Sequence, residues 1–119
     1  MEYLGMSELQ PWYDGRKSFY GKASVERYAT SGGTKLVLKS YGTLVAAVSP
    51  VGKTDDCTEV YYVEVAMKYL SATTVRHVKE FLAQTDSALK GITLPWLRKA
   101  VKDGRRINGS RKVYVFNEM

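Results

Sequence analysis

Hydrophobic side chains recur with a helical period in residues 70–84, the most helix-like part of the chain. At about 100° per residue, one arc of the predicted helix is apolar and the opposite arc is polar. The apolar arc consists of Val75, Val78, Phe81 and Leu82 together with Thr74, and the polar arc of Arg76, Glu80, Thr73 and Gln84. We expect Ser71, Thr73 or Thr74 to cap the start of this helix. An amphipathic helix must bury its apolar arc against another element.

Strand-like patterns in the rest of the chain supply that element. Alternation of apolar and polar residues predicts strands at residues 17–29, 35–41 and 44–48, and a more apolar run at 60–67 predicts a central strand. Turn signals at residues 31–34 and at Gly42-Thr43 separate the first three strands, and residues 49–59 are predicted to form an exposed loop. Asn108-Gly109 predicts a hairpin before a last strand at residues 112–116.

A second amphipathic helix is predicted at residues 94–102, with Thr93 as its cap and Pro95 in its first turn. Residues 1–16 have no regular pattern and are expected to form an N-terminal arm that Trp12 and Tyr13 hold against the body. The 119 residues fit one domain. Its predicted parts are the arm, strands within 17–67, two helices within 71–103 and a C-terminal hairpin and strand at 105–117. The fold class is α+β, an antiparallel sheet of about four or five strands with both helices packed on one face.

Positive charge is concentrated near the C-terminus. The chain has 18 basic and 12 acidic residues, a formal net charge of +6. Residues 98–112, called here the basic segment, contain seven basic residues and one acid, and the other 104 residues contain eleven of each sign. The basic segment therefore holds the whole excess charge. Its basic residues are Arg98, Lys99, Lys102, Arg105, Arg106, Arg111 and Lys112.

A charged helix face followed by a charged hairpin would form one cationic ridge. Such a ridge attracts phosphate by counterion release, without reading base sequence. The nine tyrosines and two tryptophans of the chain include rings that could stack on unpaired bases, although half-burial in strands explains most tyrosines equally well. The basic segment is compatible with three interpretations: contact with nucleic acid, contact with an acidic or nucleoprotein partner, and a role in solubility alone.

Catalytic and metal-binding patterns are missing from the sequence. A zinc site needs about four nitrogen or sulfur ligands, and the chain has one histidine, His77, and one cysteine, Cys57. Cys57 follows two acids that disfavour a thiolate, and Gly52-Lys53-Thr54 lacks the first glycine of a phosphate-binding loop. The carboxylates Asp55, Asp56 and Glu59 fit a solvated loop. We expect a partly buried, structural His77, no enzyme activity, no metal and no cofactor.

The expected compartment is the cytoplasm. A single cysteine and the lack of a charged and then apolar leader favour a reducing compartment over secretion. No apolar run reaches the roughly 18 residues that a membrane-spanning helix needs. We therefore expect no membrane partner, and the oligomeric state is left open.

Three motifs in fixed order carry a family resemblance: KSFYGKA at residues 17–23, LKSYGTLVA at 38–46 and SATTVRHVKEFL at 71–82. On these motifs the chain resembles a family of small uncharacterised proteins from bacteriophages and mobile elements of Firmicutes. The resemblance covers residues 17–84 and leaves out the basic segment.

The resemblance implies a phage or prophage context in the cytoplasm of a bacterial host, and it implies no site residues. Small phage proteins without catalytic motifs often inhibit host defence systems, including CRISPR effectors. A mimic of DNA would be acidic, whereas this chain is basic. The leading hypothesis is a non-enzymatic protein that contacts nucleic acid or a nucleoprotein through the basic segment. The alternative is an anti-defence inhibitor, such as an anti-CRISPR protein, that binds a host protein directly.

Overall fold

A sheet of seven strands forms the body of the computed structural model, counted over its described residues. The structure describes residues 2–12, 14–15, 18–53, 59–66, 71–85, 93–103, 106–109 and 112–118. The strands are β1 (Glu2–Glu8), β2 (Ala23–Thr30), β3 (Gly33–Ser40), β4 (Thr43–Lys53), β5 (Glu59–Val65), β6 (Arg106–Gly109) and β7 (Lys112–Glu118). The helices α1 (Ala72–Thr85) and α2 (Leu94–Asp103) follow β5 in the chain.

The first five strands run in chain order as an antiparallel meander, and the spatial order of the sheet is β1-β2-β3-β4-β5-β7-β6. After α1 and α2 the chain returns to the sheet as the β6–β7 hairpin. β7 lies parallel to β5, and β6 forms the outer edge. The α+β prediction is confirmed, and the parallel β5–β7 pair extends the expected antiparallel sheet. The radius of gyration, 13.6 Å, is that of a single domain of this length.

The hydrophobic core lies between one face of the sheet and the two helices. Alternate residues of the central strands point to this face, and their side chains meet the apolar arc of α1 and Leu97 of α2. The sheet contributes Val25, Leu38, Val48, Val63 and Val65, and α1 contributes Val78, Phe81 and Leu82. Both helices therefore cover the same face.

Both predicted helix caps are present. The Ser71 hydroxyl accepts the Thr74 N–H (3.2 Å) at the start of α1, so Ser71 is the cap among the three candidates. The Thr93 hydroxyl accepts the Trp96 N–H (3.3 Å) at the start of α2. Each cap satisfies one of the backbone donors that the first turn of a helix leaves without a partner.

The N-terminal residues differ from the prediction of an irregular arm. Residues 2–8 form the edge strand β1, which bulges between Tyr3 and Gly5 where it pairs with β2. Trp12 is 70% exposed, so the expectation that it holds this part of the chain in place is wrong, and Tyr13 lies outside the described residues. Leu9 provides the attachment: its side chain is buried and its N–H donates to the Ala23 carbonyl (2.9 Å).

Glu80 is a second departure from the sequence prediction. The helical wheel assigns it to the solvent-facing arc, but the residue is 3% exposed. Its Oε1 accepts the Asp14 N–H (2.9 Å) and its Oε2 accepts a hydrogen bond from Gln84 Nε2 (2.7 Å). Gln84 also donates to the Gln10 carbonyl (2.5 Å). The segment after β1 thus lies against α1 and covers part of its polar arc, which no helical period can indicate.

Two loop boundaries also move. Residues 49–53 belong to β4, which continues past Pro50 through a bulge opposite β5, so the predicted loop is shorter at its start. Asn108 and Gly109 belong to β6 itself, where they pair with Val113 and Lys112 of β7. The C-terminal hairpin is present, but the Asn-Gly dipeptide lies in its first strand.

Candidate functional site

Two Tyr-Gly dipeptides form neighbouring tight turns at one end of the sheet. In the first, the Lys22 N–H donates to the Phe19 carbonyl (3.0 Å), and Tyr20 and Gly21 have φ of 54° and 73°. In the second, Tyr41 and Gly42 have φ of 53° and 79° and connect β3 to β4. Positive φ at both central residues is the mark of the type I′ turn. The Tyr41 N–H donates to the Lys22 carbonyl (2.7 Å), which joins the two turns.

These turns present aromatic rings and cations together. Tyr20 is 73% exposed and Tyr41 54%. The Lys22 Nζ lies 5.7 Å from the centroid of the Tyr41 ring, within reach of a cation–π contact. Arg76 of α1 lines the same depression of about 110 Å³. We call Tyr20, Lys22, Tyr41 and Arg76 the tyrosine-turn site.

His77 lies beneath both turns. It is 1% exposed, and its Nδ1 is hydrogen-bonded to the Ser40 hydroxyl (2.8 Å), which also contacts the Thr74 hydroxyl (3.2 Å). The Phe19 ring meets the imidazole edge to face at a centroid distance of 4.7 Å. Phe19 and Ser40 each precede one of the exposed tyrosines, so the buried imidazole positions the start of both turns. The prediction of a structural His77 agrees with this geometry, although the residue is fully rather than partly buried.

Glu8 at the end of β1 holds the first turn from its other side. Its Oε1 accepts the Gly21 N–H (2.8 Å) and a longer hydrogen bond from the Ser18 hydroxyl (3.4 Å). The Ser18 hydroxyl in turn accepts the Tyr20 N–H (2.9 Å). Glu8 therefore satisfies the Gly21 N–H directly, and through the Ser18 hydroxyl it supports the acceptor of the Tyr20 N–H.

Arg76 is a partly exposed cation of the site and is paired with Asp14. Its side chain is 48% exposed, and its guanidinium lies 3.6 Å from Asp14 Oδ1. The Asp14 side chain is 16% exposed, so this ion pair is partly buried on its acidic side. The exposed half of the guanidinium is accessible to a second anion.

The basic segment is brought together only in part. Arg98 and Lys99 lie on α2 directly after the buried Leu97, and both are exposed. The backbone places Lys102 in the last turn of α2, Arg106 at the start of β6 and Lys112 at the start of β7. Arg105 and Arg111 lie outside the described residues.

The register of the C-terminal hairpin separates two of the predicted basic residues. Arg106 pairs with Val115, and Lys112 pairs with Gly109. Paired residues share a face of the sheet and successive residues alternate, so these backbone positions belong to opposite faces. α2 lies against β7, and this contact brings the helix close to the hairpin.

Metal ligands do not cluster in the described part of the chain: it contains no group of three or more histidine, cysteine, aspartate or glutamate residues that could hold an ion. Cys57, Asp55 and Asp56 lie outside the described residues. Gly52 and Lys53 belong to β4 and not to a phosphate-binding loop. Neither described helix is long and apolar enough to cross a membrane.

A larger groove of about 480 Å³ lies beside the β2–β3 turn and the C-terminal end of α1. Its described lining includes Gly33, Pro50, Tyr61 and Gln84, and it contains no charged side chain. The groove therefore offers shape without a group that would orient a charged ligand. The tyrosine-turn site is smaller but combines charge and aromatic rings.

The described residues form a small α+β domain, and its tyrosine-turn site lies on two turns and on α1. Residues 7–97 match the model of a family of unknown function, DUF8033, and the chain belongs to that family. No curated protein and no solved structure matches the chain. The matched range contains all three sequence motifs and the whole tyrosine-turn site, and it ends one residue before the basic segment.

Sequence reasoning missed the tyrosine-turn site, although a signal for it was present. The Tyr-Gly dipeptide occurs at residues 20–21 and 41–42, and each copy follows a serine closely. Pairing of β2 with β3 places Ala23 opposite Ser40. Once that hairpin register is known, the two dipeptides must lie at the same end of the sheet, next to the ends of β2 and β3 that Ala23 and Ser40 mark.

Proposed function

We propose that this is a non-enzymatic binding protein whose basic segment contacts nucleic acid or a nucleoprotein complex. The observation that carries the proposal is the charge distribution: the whole net charge of +6 lies in residues 98–112. A concentrated positive segment attracts the phosphate backbone by releasing counterions, which an even scatter of charge does much less effectively.

The geometry of α2 supports this proposal. Leu97 is fully buried, and its neighbours Arg98 and Lys99 are exposed. The helix is thus anchored by its apolar side and keeps consecutive cations in solvent. Phosphate contacts of this kind fix position on a nucleic acid without reading its sequence.

Salt dependence tests the proposal. We expect the protein to bind a generic duplex at low salt, with log Kd rising linearly with log salt concentration. Arg98→Gln with Lys99→Gln should weaken binding to all sequences alike and reduce the slope by about one for each phosphate that the variant no longer neutralises. Lys35→Gln with Lys79→Gln removes the same charge elsewhere and serves as the control. Equal slopes for the two double variants would contradict the proposal.

A second candidate function is direct binding of a host defence protein, as an anti-defence or anti-CRISPR inhibitor. One observation favours it: the edge strand β1 exposes Tyr3, Leu4 and Met6, and an edge strand with exposed apolar side chains can pair with a strand of another protein. A pull-down from bacterial lysate treated with nuclease should then recover one stoichiometric protein. Recovery that requires nucleic acid would favour the first proposal instead.

The cellular setting is part of the same proposal. We place the protein in the cytoplasm of a bacterial host, as the product of a bacteriophage or mobile element of Firmicutes. The support is the resemblance carried by the three sequence motifs.

A further inference from the structure

The two tyrosines of the tyrosine-turn site have an unusual backbone conformation. Tyrosine at positive φ is uncommon, because its Cβ crowds the backbone there. Tyr20 and Tyr41 both adopt this conformation, and both rings remain largely in solvent. Asparagine or glycine would form either turn more easily. The backbone conformation of the two turns therefore does not require tyrosine at either position.

The backbones of the two turns are held in fixed positions relative to each other. The backbone hydrogen bond from Tyr41 to the Lys22 carbonyl joins the turns, and the buried His77 contacts the residue before each tyrosine. Glu8 fixes the Gly21 N–H from the opposite side. A site whose backbone is ordered before binding loses less conformational entropy when a ligand arrives.

The charged side chains in the described lining of the depression are positive. Lys22 and Arg76 are the charged side chains that line the depression, and no carboxylate is among its described lining residues. Two carboxylates lie nearby but outside the described lining of the depression: Glu8, which accepts the Gly21 N–H, and Asp14, which pairs with Arg76. A ligand that fits here has a negative group for the cations and a flat face for the rings.

We propose that the tyrosine-turn site binds an unpaired nucleotide of a single-stranded nucleic acid. A base stacks on the exposed tyrosine rings, and the adjoining phosphate lies between Lys22 and Arg76. Single strands offer base faces that a duplex keeps inside its own stack, and aromatic platforms beside cations are the usual way to bind them. An acidic peptide would satisfy the cations but not the two rings, so the nucleotide is the better fit. The inference rests on the proposed function and extends it to unpaired strands.

Replacing the tyrosines by asparagine gives a sharp test, because asparagine tolerates positive φ and keeps both turns. The probes are a fluorescent oligothymidylate and an abasic strand with the same number of phosphates, measured by anisotropy at fixed salt. The wild-type protein should bind the oligothymidylate more tightly, since each stacked base contributes on the order of 5- to 150-fold. In Tyr20→Asn with Tyr41→Asn this preference should disappear.

Two further variants separate stacking from other effects. Tyr20→Phe with Tyr41→Phe keeps the rings and should keep the preference for thymidylate. Tyr62→Thr removes an exposed tyrosine from β5 and should change nothing. If the asparagine variant retains the wild-type preference, or if the wild-type protein binds both strands equally, the inference is wrong.

Failure of this inference can be told apart from failure of the proposed function. Duplex binding that depends on Arg98 and Lys99, together with no preference for bases, would reject the tyrosine-turn site alone. A thymidylate preference that the asparagine variant loses, with duplex affinity insensitive to Arg98 and Lys99, would reject the basic segment alone. Absence of binding to every strand at low salt would reject both.

Discussion

Replacing Glu80 by glutamine should lower the free energy of unfolding by about 1–3 kcal/mol. Glutamine has nearly the same shape but only one acceptor oxygen. In the structure Oε1 accepts the Asp14 N–H and Oε2 accepts a hydrogen bond from Gln84. The new amide would turn an NH₂ group toward one of these two donors, so one hydrogen bond to a carboxylate disappears.

The magnitude follows from the burial of this carboxylate. A hydrogen bond to a charged group contributes roughly 1.5–3 kcal/mol, and a buried donor left without a partner costs about 1–3 kcal/mol. Glutamine is uncharged, so part of the free-energy cost of burying the Glu80 carboxylate is recovered. The expected loss of unfolding free energy is therefore about 1–3 kcal/mol and not the sum of the two contributions. For a chain of this size each kcal/mol corresponds to roughly 3–6 °C in Tm.

Urea denaturation followed by circular dichroism measures the effect, with an unchanged slope as the sign that both states are otherwise alike. Lys79→Gln, at the adjacent position of α1, is the matched control and should change stability by less than about 0.5 kcal/mol. The helical wheel puts Glu80 among surface residues, for which the same small change would be expected. If Glu80→Gln changes the free energy of unfolding as little as the control does, the inference that Glu80 is a buried, hydrogen-bonded carboxylate is wrong.

Two further predictions concern the turns and the face of the sheet opposite the helices. Gly42→Ala should cost about 1–2 kcal/mol, because φ is 79° with open space around the position, whereas Gly15→Ala, where φ is not positive, should be close to neutral in the same denaturation assay. Equal losses of stability in the two variants would show that positive φ does not strain alanine at position 42. The hydrogen bond and charge of Glu26 raise the pKa of Lys39, and desolvation and the Glu26 charge raise the pKa of Tyr28. The folded state therefore holds both protons more tightly, and its stability should be complete below about pH 10 and fall above it. Denaturation between pH 8 and pH 11 should show a shallower fall in Glu26→Gln, and an unchanged fall would reject this cause.

The parts of the fold that could be predicted are those whose sequence pattern follows their burial. β2 to β5 alternate or stay apolar because one or both faces are covered, and α1 has a continuous apolar arc. The caps Ser71 and Thr93 follow from local hydrogen bonding and need no tertiary information. α+β is the class that such elements define.

The parts that could not be predicted depend on contacts between distant segments. β1 is exposed along nearly its whole length, so its sequence has no regular alternation of buried apolar and exposed polar residues. Glu80 is buried by a segment more than sixty residues earlier in the chain. The tyrosine-turn site joins three segments, and only the β2–β3 register and the position of α1 bring them together.

The burial of His77 beneath the two turns has a practical consequence for spectroscopy. His77 is the only histidine in the chain, so its ring protons give a single pair of imidazole resonances. The ring lies against Phe19 and 6.0 Å from the Tyr41 ring, so we expect aromatic ring currents to displace those resonances. Small movements of either turn change that displacement. The protein thus contains one natural, unlabelled reporter located directly under the surface where its two exposed tyrosines stand.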